Sequence, residues 1–170
     1  MRRAFIVISA SETAFRTGAG HGFSETGGLL IGYWTQDDDV VVAETTHSGP
    51  RARRSPFGFE PDIVEDDEVI ARKFAETQGA LTYVGDWHTH PLGPLRPSRR
   101  DHIAARLVAK SPEARTPRPL VAIVRPYLHL FGRSFTVPRL LPKMALYCFD
   151  PAADRLRLVP VHFLTGVPQG

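Results

Sequence analysis

Two histidines and a nearby aspartate have the residue types and the spacing of a catalytic metal site. His88 and His90 are separated by one residue, and Asp101 follows in the run Ser98-Arg-Arg-Asp101. On a β-strand, residues at i and i+2 point to the same face, so both imidazoles could reach one cation. Two imidazoles and one carboxylate are a common ligand set for catalytic zinc, which keeps a fourth position open for water. The pattern therefore indicates metal-assisted chemistry on water or on a substrate.

Each half of this pattern also has a purely structural interpretation. A His-x-His pair can simply be exposed or hydrogen-bonded. The run from Ser98 to Asp101 is typical of a capping box, in which Ser98 is the N-cap and Asp101 the N3 residue of a helix. The two halves together favour the metal site. A further segment adds to them, because Glu25 lies just before Gly27, Gly28 and an apolar run.

Together these residues resemble the JAMM motif of the JAB/MPN/Mov34 metalloproteases. Glu25, His88-x-His90 and Ser98-x-x-Asp101 fill every position of that motif, with the usual spacing between the second histidine and the serine. The likeness covers about residues 4 to 163. It looks closest to short bacterial members found beside E1-like and E2-like proteins in conjugative-element and anti-phage operons. The resemblance implies the MPN, cytidine-deaminase-like fold, an α/β fold with a mixed β-sheet flanked by helices.

The resemblance also implies a role for each residue of the motif. His88, His90 and Asp101 would hold Zn²⁺, with water as the fourth ligand. Glu25 would act as the base that takes a proton from water and returns it to the leaving amine. Ser98 would donate a hydrogen bond to the oxyanion. Without the histidine motif, Glu25 would be interpreted as a solvated loop carboxylate.

The implied activity is hydrolysis of the peptide or isopeptide bond after the C-terminal glycine of a ubiquitin-like protein. E1-like and E2-like operon proteins are further candidate partners. The spacing alone shows only a metal hydrolase, and two alternatives remain: a peptidase that trims a sulfur-carrier protein or a cysteine adduct, and a non-catalytic MPN scaffold. Scaffold members usually lack motif residues, and this chain lacks none. A DNA-associated role like that of the RadC group is not expected, because no helix-turn-helix or basic stripe is evident.

The composition is that of a globular protein and predicts a single domain over residues 1–170. The chain is 42% hydrophobic and 23% charged, with a formal net charge of +3. No apolar run approaches the ~20 residues that span a bilayer, and the apolar stretch after Arg3 is too short for a signal peptide. We therefore expect a cytoplasmic protein without a membrane partner. The single cysteine, Cys148, excludes an intrachain disulfide and is expected to be buried without a catalytic role.

The pattern of apolar residues predicts strands combined with two helices, an α/β architecture. Strands are predicted over residues 1–9, 28–34, 40–46, 80–90, 120–124, 143–149 and 156–163, with a short one near 128–131. The second and third of these should form a hairpin. Helices are predicted over residues 61–78 and 98–109. On the first helix, Ile63, Ile70 and Phe74 are expected to share the apolar face.

The second predicted helix carries the physical argument for ligation of Asp101. Asp101 shares a stripe with Ala104, Ala105 and Val108, which should face the sheet. An acidic residue on such a face is costly unless it is paired or ligated. Trp87 alternates with the histidines and is expected in the core.

Three further expectations concern the surroundings of the site. Residues 51–54 are interpreted as a solvated basic loop, with docking of a partner's tail as the alternative. Gly27 and Gly28 are expected to begin an exposed strand edge that could pair with an extended, glycine-ended peptide. Three protein ligands complete a catalytic zinc site, so the other histidines are not expected to bind metal. They are His21, His47, His102, His129 and His162.

Overall fold

A mixed eight-stranded sheet forms the frame of the protein. The computed structural model describes residues 3–126, 128–130, 133–135 and 143–167. In chain order the elements are β1 (Ala4–Val7), α1 (Ile8–Gly20), β2 (Gly27–Trp34), β3 (Val40–Thr45), β4 (Arg53–Ser55), β5 (Gly58–Glu60), α2 (Ile63–Glu76), β6 (Thr82–Thr89), α3 (Arg99–Lys110), β7 (Leu120–Arg125), β8 (Leu128–Leu130), β9 (Arg133–Phe135), β10 (Lys143–Asp150), β11 (Arg155–Val159) and β12 (Val161–Leu164).

The strands of the main sheet follow the order β11-β10-β7-β6-β2-β3-β1-β12. β6 is parallel to β7, and β1 is parallel to both β3 and β12, whereas the other neighbours are antiparallel. Only Pro160 separates β11 from β12, although these strands form opposite edges. Two residues of chain reach about 7 Å, so the sheet must curve until its edges approach each other at Pro160.

Helices cover both faces of this curved sheet. On one face, Ala10 and Ala14 of α1 pack in a core with Val42, Trp87 and Leu120. On the opposite face, Ala105 of α3 packs with residues of β7, β10 and β11, and Val69 of α2 packs with residues of β2 and β6. The predicted α/β architecture is therefore present, and the histidine-bearing strand β6 lies near the middle of the sheet.

Helix α1 was not predicted, and the prediction of two helices is wrong. The predicted first strand ends at Val7, and α1 begins at Ile8. The buried positions of α1 are all small residues: Ala10, Ser11, Ala14 and Gly18. Small residues give little hydrophobic periodicity, but they let the helix approach the sheet closely. A Cβ atom added at Gly18 would lie 2.7 Å from the Thr89 side chain of β6.

The predicted apolar face of α2 is also wrong. Ile63 and Phe74 are 67% and 48% exposed, whereas Asp66 and Val69 are buried. Ile70 is partly buried beside Val69. The helix is thus rotated so that a carboxylate faces the sheet, a position that apolar periodicity assigns to a hydrophobic residue.

Other elements follow the predictions with two changes. β2 and β3 form the predicted antiparallel hairpin. The strand predicted over 156–163 is divided at Pro160, whose missing N–H interrupts a ladder. The strand predicted near 128–131 is β8, which pairs with β9, and residue 131 lies outside the described residues. Within the described part of the chain, no helix is long and apolar enough to cross a membrane.

Candidate metal centre

The two histidines of the site come from the end of β6. Thr89 is fully buried and Trp87 is 0% exposed in the core on the α1 face, as predicted for Trp87. The Trp87 indole N–H donates to the Thr46 carbonyl at 2.7 Å. His88 alternates with these two residues, so its ring is on the face covered by α2 and α3. His90 follows the strand on the same side.

The ligand atoms of His88, His90 and Asp101 converge. The two Nε2 atoms are 3.1 Å apart, and His88 Nε2 lies 3.5 Å from Asp101 Oδ1. One ligand atom of each residue lies within 4.8 Å of the others. Such spacing suits three donors around one metal ion, and the N₂O donor set is one that zinc accepts.

Neighbouring groups orient these donors toward one point. The Nδ1–H of His90 donates to the Pro94 carbonyl at 2.8 Å, which leaves Nε2 with its lone pair free. Burial is the largest influence on His88 and lowers the pKa of its imidazole, with His90 adding to the effect and Asp101 opposing it. His88 is therefore neutral near pH 7, the state that a metal ligand requires.

Asp101 combines the helix-capping and ligand geometries. Its Oδ2 accepts the Ser98 backbone N–H at 2.5 Å, while the Asp101 N–H donates to Ser98 Oγ at 3.3 Å. These two hydrogen bonds form a capping box at the start of α3. The other carboxylate oxygen, Oδ1, remains directed at His88. The two interpretations of this motif are compatible, because each uses a different oxygen.

Glu25 lies in the same cleft as these residues. The cleft has a volume of about 800 Å³, and its lining includes Glu25, His88, His90, Ser98 and Asp101. Glu25 is half-buried in the segment just before β2. Burial raises its pKa, and the effect is opposed by His90 and Arg100 and reinforced by Asp101.

A hydrogen-bond network fixes the segment that carries Glu25 against the histidine strand. The Thr26 N–H donates to Thr89 Oγ1 at 2.9 Å, and the Thr89 N–H donates to the Thr26 carbonyl at 2.8 Å. The Glu25 N–H donates to the Ser55 carbonyl at 2.8 Å. Arg54 Nε donates to Thr26 Oγ1 at 3.1 Å. Glu25 is thereby held in register with His88 and His90.

Comparison with known proteins assigns the family. The family described as prokaryotic homologs of the JAB domain matches residues 16–136. The chain belongs to this family. The resemblance to JAB/MPN proteins and the predicted α/β fold are thus confirmed. The solution structure of protein DSY2949 from Desulfitobacterium hafniense shares the fold, with a TM-score of 0.65 at 18% identity over 95% of this chain and 92% of that one.

Two bacterial relatives share part of the sequence of this JAB domain. Probable metalloprotease y4qB of Sinorhizobium fredii is 37% identical over 101 residues, which are 59% of this chain and 62% of that protein. A CD-NTase/cGAS isopeptidase of Enterobacter hormaechei is 30% identical over 111 residues, or 61% of this chain and 56% of that protein. The matched part is less than two thirds of either relative's length.

Two further carboxylates, Asp66 and Asp86, line the cleft of the metal centre. The sequence analysis did not identify either of them as a site residue. Burial raises the pKa of Asp66 and of Asp86 to about 6 in each case. Asp86 Oδ2 also accepts the Tyr83 hydroxyl at 2.7 Å. Asp86 precedes His88 by two residues, so the alternation that aligned the histidines could have placed it here. No comparable signal marked Asp66.

An apolar rim surrounds the cleft of this JAB domain. Phe23, Phe57 and Leu92 are exposed and line the cleft, with Phe57 90% exposed at the turn between β4 and β5. Exposed apolar side chains grouped beside a polar site are typical of a surface that binds another molecule.

The expectation of a solvated basic loop over residues 51–54 holds only in part, because Arg51 and Arg53 are exposed but β4 begins at Arg53. Arg53 and Arg54 belong to the β4–β5 hairpin. Arg51 pairs with Asp62 at 3.2 Å, and Arg54 donates to three neutral oxygens, whereas exposed Arg53 pairs with Glu60 at 3.7 Å. Two of the three arginines therefore hold the fold together.

The expected free edge at Gly27 and Gly28 is also wrong. β2 is an inner strand, in which Gly27 pairs with His88 and Gly28 with Trp87. On the other side, the Ser48 N–H donates to the Gly27 carbonyl at 3.0 Å. The backbone of this segment is thus engaged on both sides.

The remaining histidines take other positions in this JAB domain. His102 Nδ1 accepts the Leu156 N–H, and the His162 ring lies 5.4 Å from the Phe5 ring. His21 and His47 line a separate cleft. Among the described residues, the group that could hold a metal contains none of these four. The His129 side chain lies outside the described residues.

Proposed function

We propose that this protein is a zinc-dependent peptidase or isopeptidase that hydrolyses the bond after the C-terminal glycine of a ubiquitin-like protein. The observation that carries the proposal is the convergence of His88, His90 and Asp101 in a cleft that Glu25 and Ser98 also line. Membership of the JAB family and the names of the relatives, a metalloprotease and an isopeptidase, support the same reaction class.

The donor set suits zinc. His88, His90 and Asp101 would be its three protein ligands, and the orienting contacts to Pro94 and Ser98 are the second-shell support that such ligands need. Zinc bound there would supply Lewis acidity, which lowers the pKa of water toward ~7.

Glu25 is assigned the proton transfers. Its raised pKa suits a group that accepts a proton from the attacking water and passes it to the leaving nitrogen. Ser98 uses its oxygen as an acceptor in the helix cap, so its O–H remains a donor for the carbonyl oxygen of the scissile bond as that oxygen gains charge.

The rim of the cleft suggests how the substrate is held. β5 pairs with β4 on one side, and Gly58 and Phe59 of β5 line the cleft. An extended tail could pair with the other side of β5 by strand addition. Glycine beside the scissile bond would let that tail pass close to the ligands, because it has no side chain. Phe57 and Leu92 would contact the folded part of the substrate.

The isopeptidase name of the relatives favours conjugates as substrates, with E1-like and E2-like proteins as the partners that would form them. We place this activity in the cytoplasm, where a free thiol such as Cys148 persists.

Glu25→Gln tests the proposal. The substrate is a ubiquitin-like domain that ends in glycine and is fused to a C-terminal extension, and the products are identified by intact mass. Wild-type protein should cut after the terminal glycine. Glu25→Gln should keep its zinc and lose about 10²–10⁴-fold in kcat. The matched control is Glu12→Gln, an exposed carboxylate that pairs with Arg16 on α1, which should cut normally.

Two results would defeat the proposal. Near-normal turnover by Glu25→Gln would show that another group moves the proton. Equal cutting when the terminal glycine is replaced by a bulky residue would indicate a general peptidase instead.

A further inference from the structure

A second cleft, of about 620 Å³, lies between α2 and the segment that follows β3. It shares no lining residue with the cleft of the metal centre. Its volume is within the range of about 300–1,000 Å³ that is typical of small-molecule sites. The proposed hydrolysis makes no use of it.

The walls of this cleft are rich in basic side chains. They come from the segment after α1, the segment after β3, strand β4 and helix α2, and Glu65 is the one acidic residue among those that line the cleft. The basic residues are His21, His47, Arg54, Arg72 and Lys73. Convergence of basic groups from four separate segments favours an anionic occupant.

Not all of these charges are available to a ligand. Lys73 is paired with Glu44 at 2.6 Å, and Arg72 lies 3.9 Å from Glu76 on the exposed surface of α2. Arg54 differs from both. Its three hydrogen bonds go to neutral oxygens of Thr26, Ala52 and Ser48, and no carboxylate of a described residue forms an ion pair with it.

Arg54 is also half-buried, so its charge is partly removed from water without a counter-ion. A guanidinium carries five N–H groups, and the three hydrogen bonds leave two of them for a ligand. The three bonds hold the planar group in a fixed orientation, which suits recognition of a phosphate better than a mobile surface arginine would.

His21 reports the positive potential of the cleft. Burial lowers the pKa of His21, and Arg54 and His47 lower it further. Arg54 and His47 are therefore close enough to His21 to disfavour its charged form. An anion bound among them would relieve this repulsion.

From the cleft, its basic walls and the orientation of Arg54, we infer that this protein has a second binding site, which takes a small molecule bearing a phosphate group. The inference does not depend on the proposed hydrolytic activity.

Binding of AMP, pyrophosphate and adenosine, measured by isothermal titration calorimetry at low salt, tests the inference. AMP and pyrophosphate should bind to the wild-type protein, and adenosine, which lacks the phosphate, should bind at least tenfold more weakly than AMP. His88→Ala, which alters the metal centre, should bind AMP as the wild type does. Loss of binding in that variant would move the phosphate to the metal centre and overturn the inference.

Adjacent arginines supply a matched pair of variants. Arg54→Gln should weaken AMP binding at least tenfold, whereas Arg53→Gln, at an exposed position paired with Glu60 outside the cleft, should stay within twofold of the wild type. Arg54 also supports the fold, so the double variant His47→Gln/Arg72→Gln, at two exposed positions, provides a second measure and should weaken binding in the same direction.

Three further outcomes would overturn the inference. They are no binding of AMP or pyrophosphate, binding of adenosine as tight as that of AMP, and an equal effect of the Arg53 and Arg54 substitutions.

Discussion

Asp101 is proposed to serve two purposes with two oxygens, and substitutions can separate them. Oδ2 accepts the Ser98 N–H within the capping box, and Oδ1 faces His88. Asp101→Asn keeps an oxygen that can accept the Ser98 N–H but removes the carboxylate charge that a metal needs. Asp101→Ala removes both. Ser98→Ala removes the reciprocal cap acceptor and leaves the carboxylate in place.

The expected magnitudes differ enough to be distinguished. The free energy of zinc binding to proteins is about 10–16 kcal/mol, which divided over four ligands is ~3 kcal/mol for each ligand. Loss of one ligand should therefore weaken zinc affinity roughly 10²-fold. A helix cap contributes about 1 kcal/mol, which is about 2–4 °C in melting temperature for a domain of this size. Asp101→Asn should therefore lose zinc affinity with a small effect on the metal-free protein. Asp101→Ala should lose both zinc affinity and stability, and Ser98→Ala should lose stability but keep its zinc affinity.

Zinc affinity by competition with a chromophoric chelator, together with thermal denaturation of the chelator-treated protein, measures both quantities on the same samples. Wild-type zinc affinity in Asp101→Asn would remove Asp101 from the ligand set. Equal melting temperatures of metal-free wild type and Asp101→Ala would show that the cap contributes nothing to stability.

Two further predictions concern buried polar groups near the site. Thr89→Val leaves the buried Thr26 N–H without its acceptor, so we expect the free energy of unfolding, measured by chemical denaturation, to fall by about 1–3 kcal/mol. The control Thr13→Val, on an exposed part of α1, should change the free energy of unfolding little. Equal losses in the two variants would contradict the reasoning. Burial raises the pKa of Asp66 from 3.8 to about 6. The folded state therefore holds this proton at pH values where the unfolded chain has released it, and stability falls as the pH rises through that window. Asp66→Asn should raise the melting temperature more at pH 8 than at pH 4, and the reverse order would show that Asp66 does not behave as a buried acid.

The convergence of His88, His90 and Asp101 could be predicted because these residues are close in sequence and follow local rules. Alternation on a strand places His88 beside His90, and the serine–aspartate run starts a helix at Ser98. Glu25 is different. Its place depends on the antiparallel pairing of β2 with β6, which puts Gly27 opposite His88. From the sequence, Glu25 could be proposed as a site residue only through the resemblance to a known motif.

The errors have a common cause in long-range packing. Small residues of α1 pack closely on the sheet without producing an apolar stripe. Asp66 is buried on α2, where the Ser48 hydroxyl donates to its carboxylate, and no local pattern in the sequence indicates that contact. The expectation of a free edge at Gly27 was wrong because β2 is an inner strand of the sheet. Which strands are inner depends on the strand order, and that order depends on partners far along the chain.

The position of Pro160 between the two edge strands has a consequence for folding kinetics. β1 pairs with β12, so the partner of Ala4 is Val161, far along the chain. β11, which forms the other edge of the sheet, comes just before β12 in the sequence. Contacts of such high sequence separation require the intervening loop to be closed before they contribute, which slows folding. During synthesis, β1 would remain without its β12 partner until β12 has left the ribosome. We therefore expect the histidine-bearing strand β6, in the middle of the sheet, to acquire its neighbours before the sheet is complete.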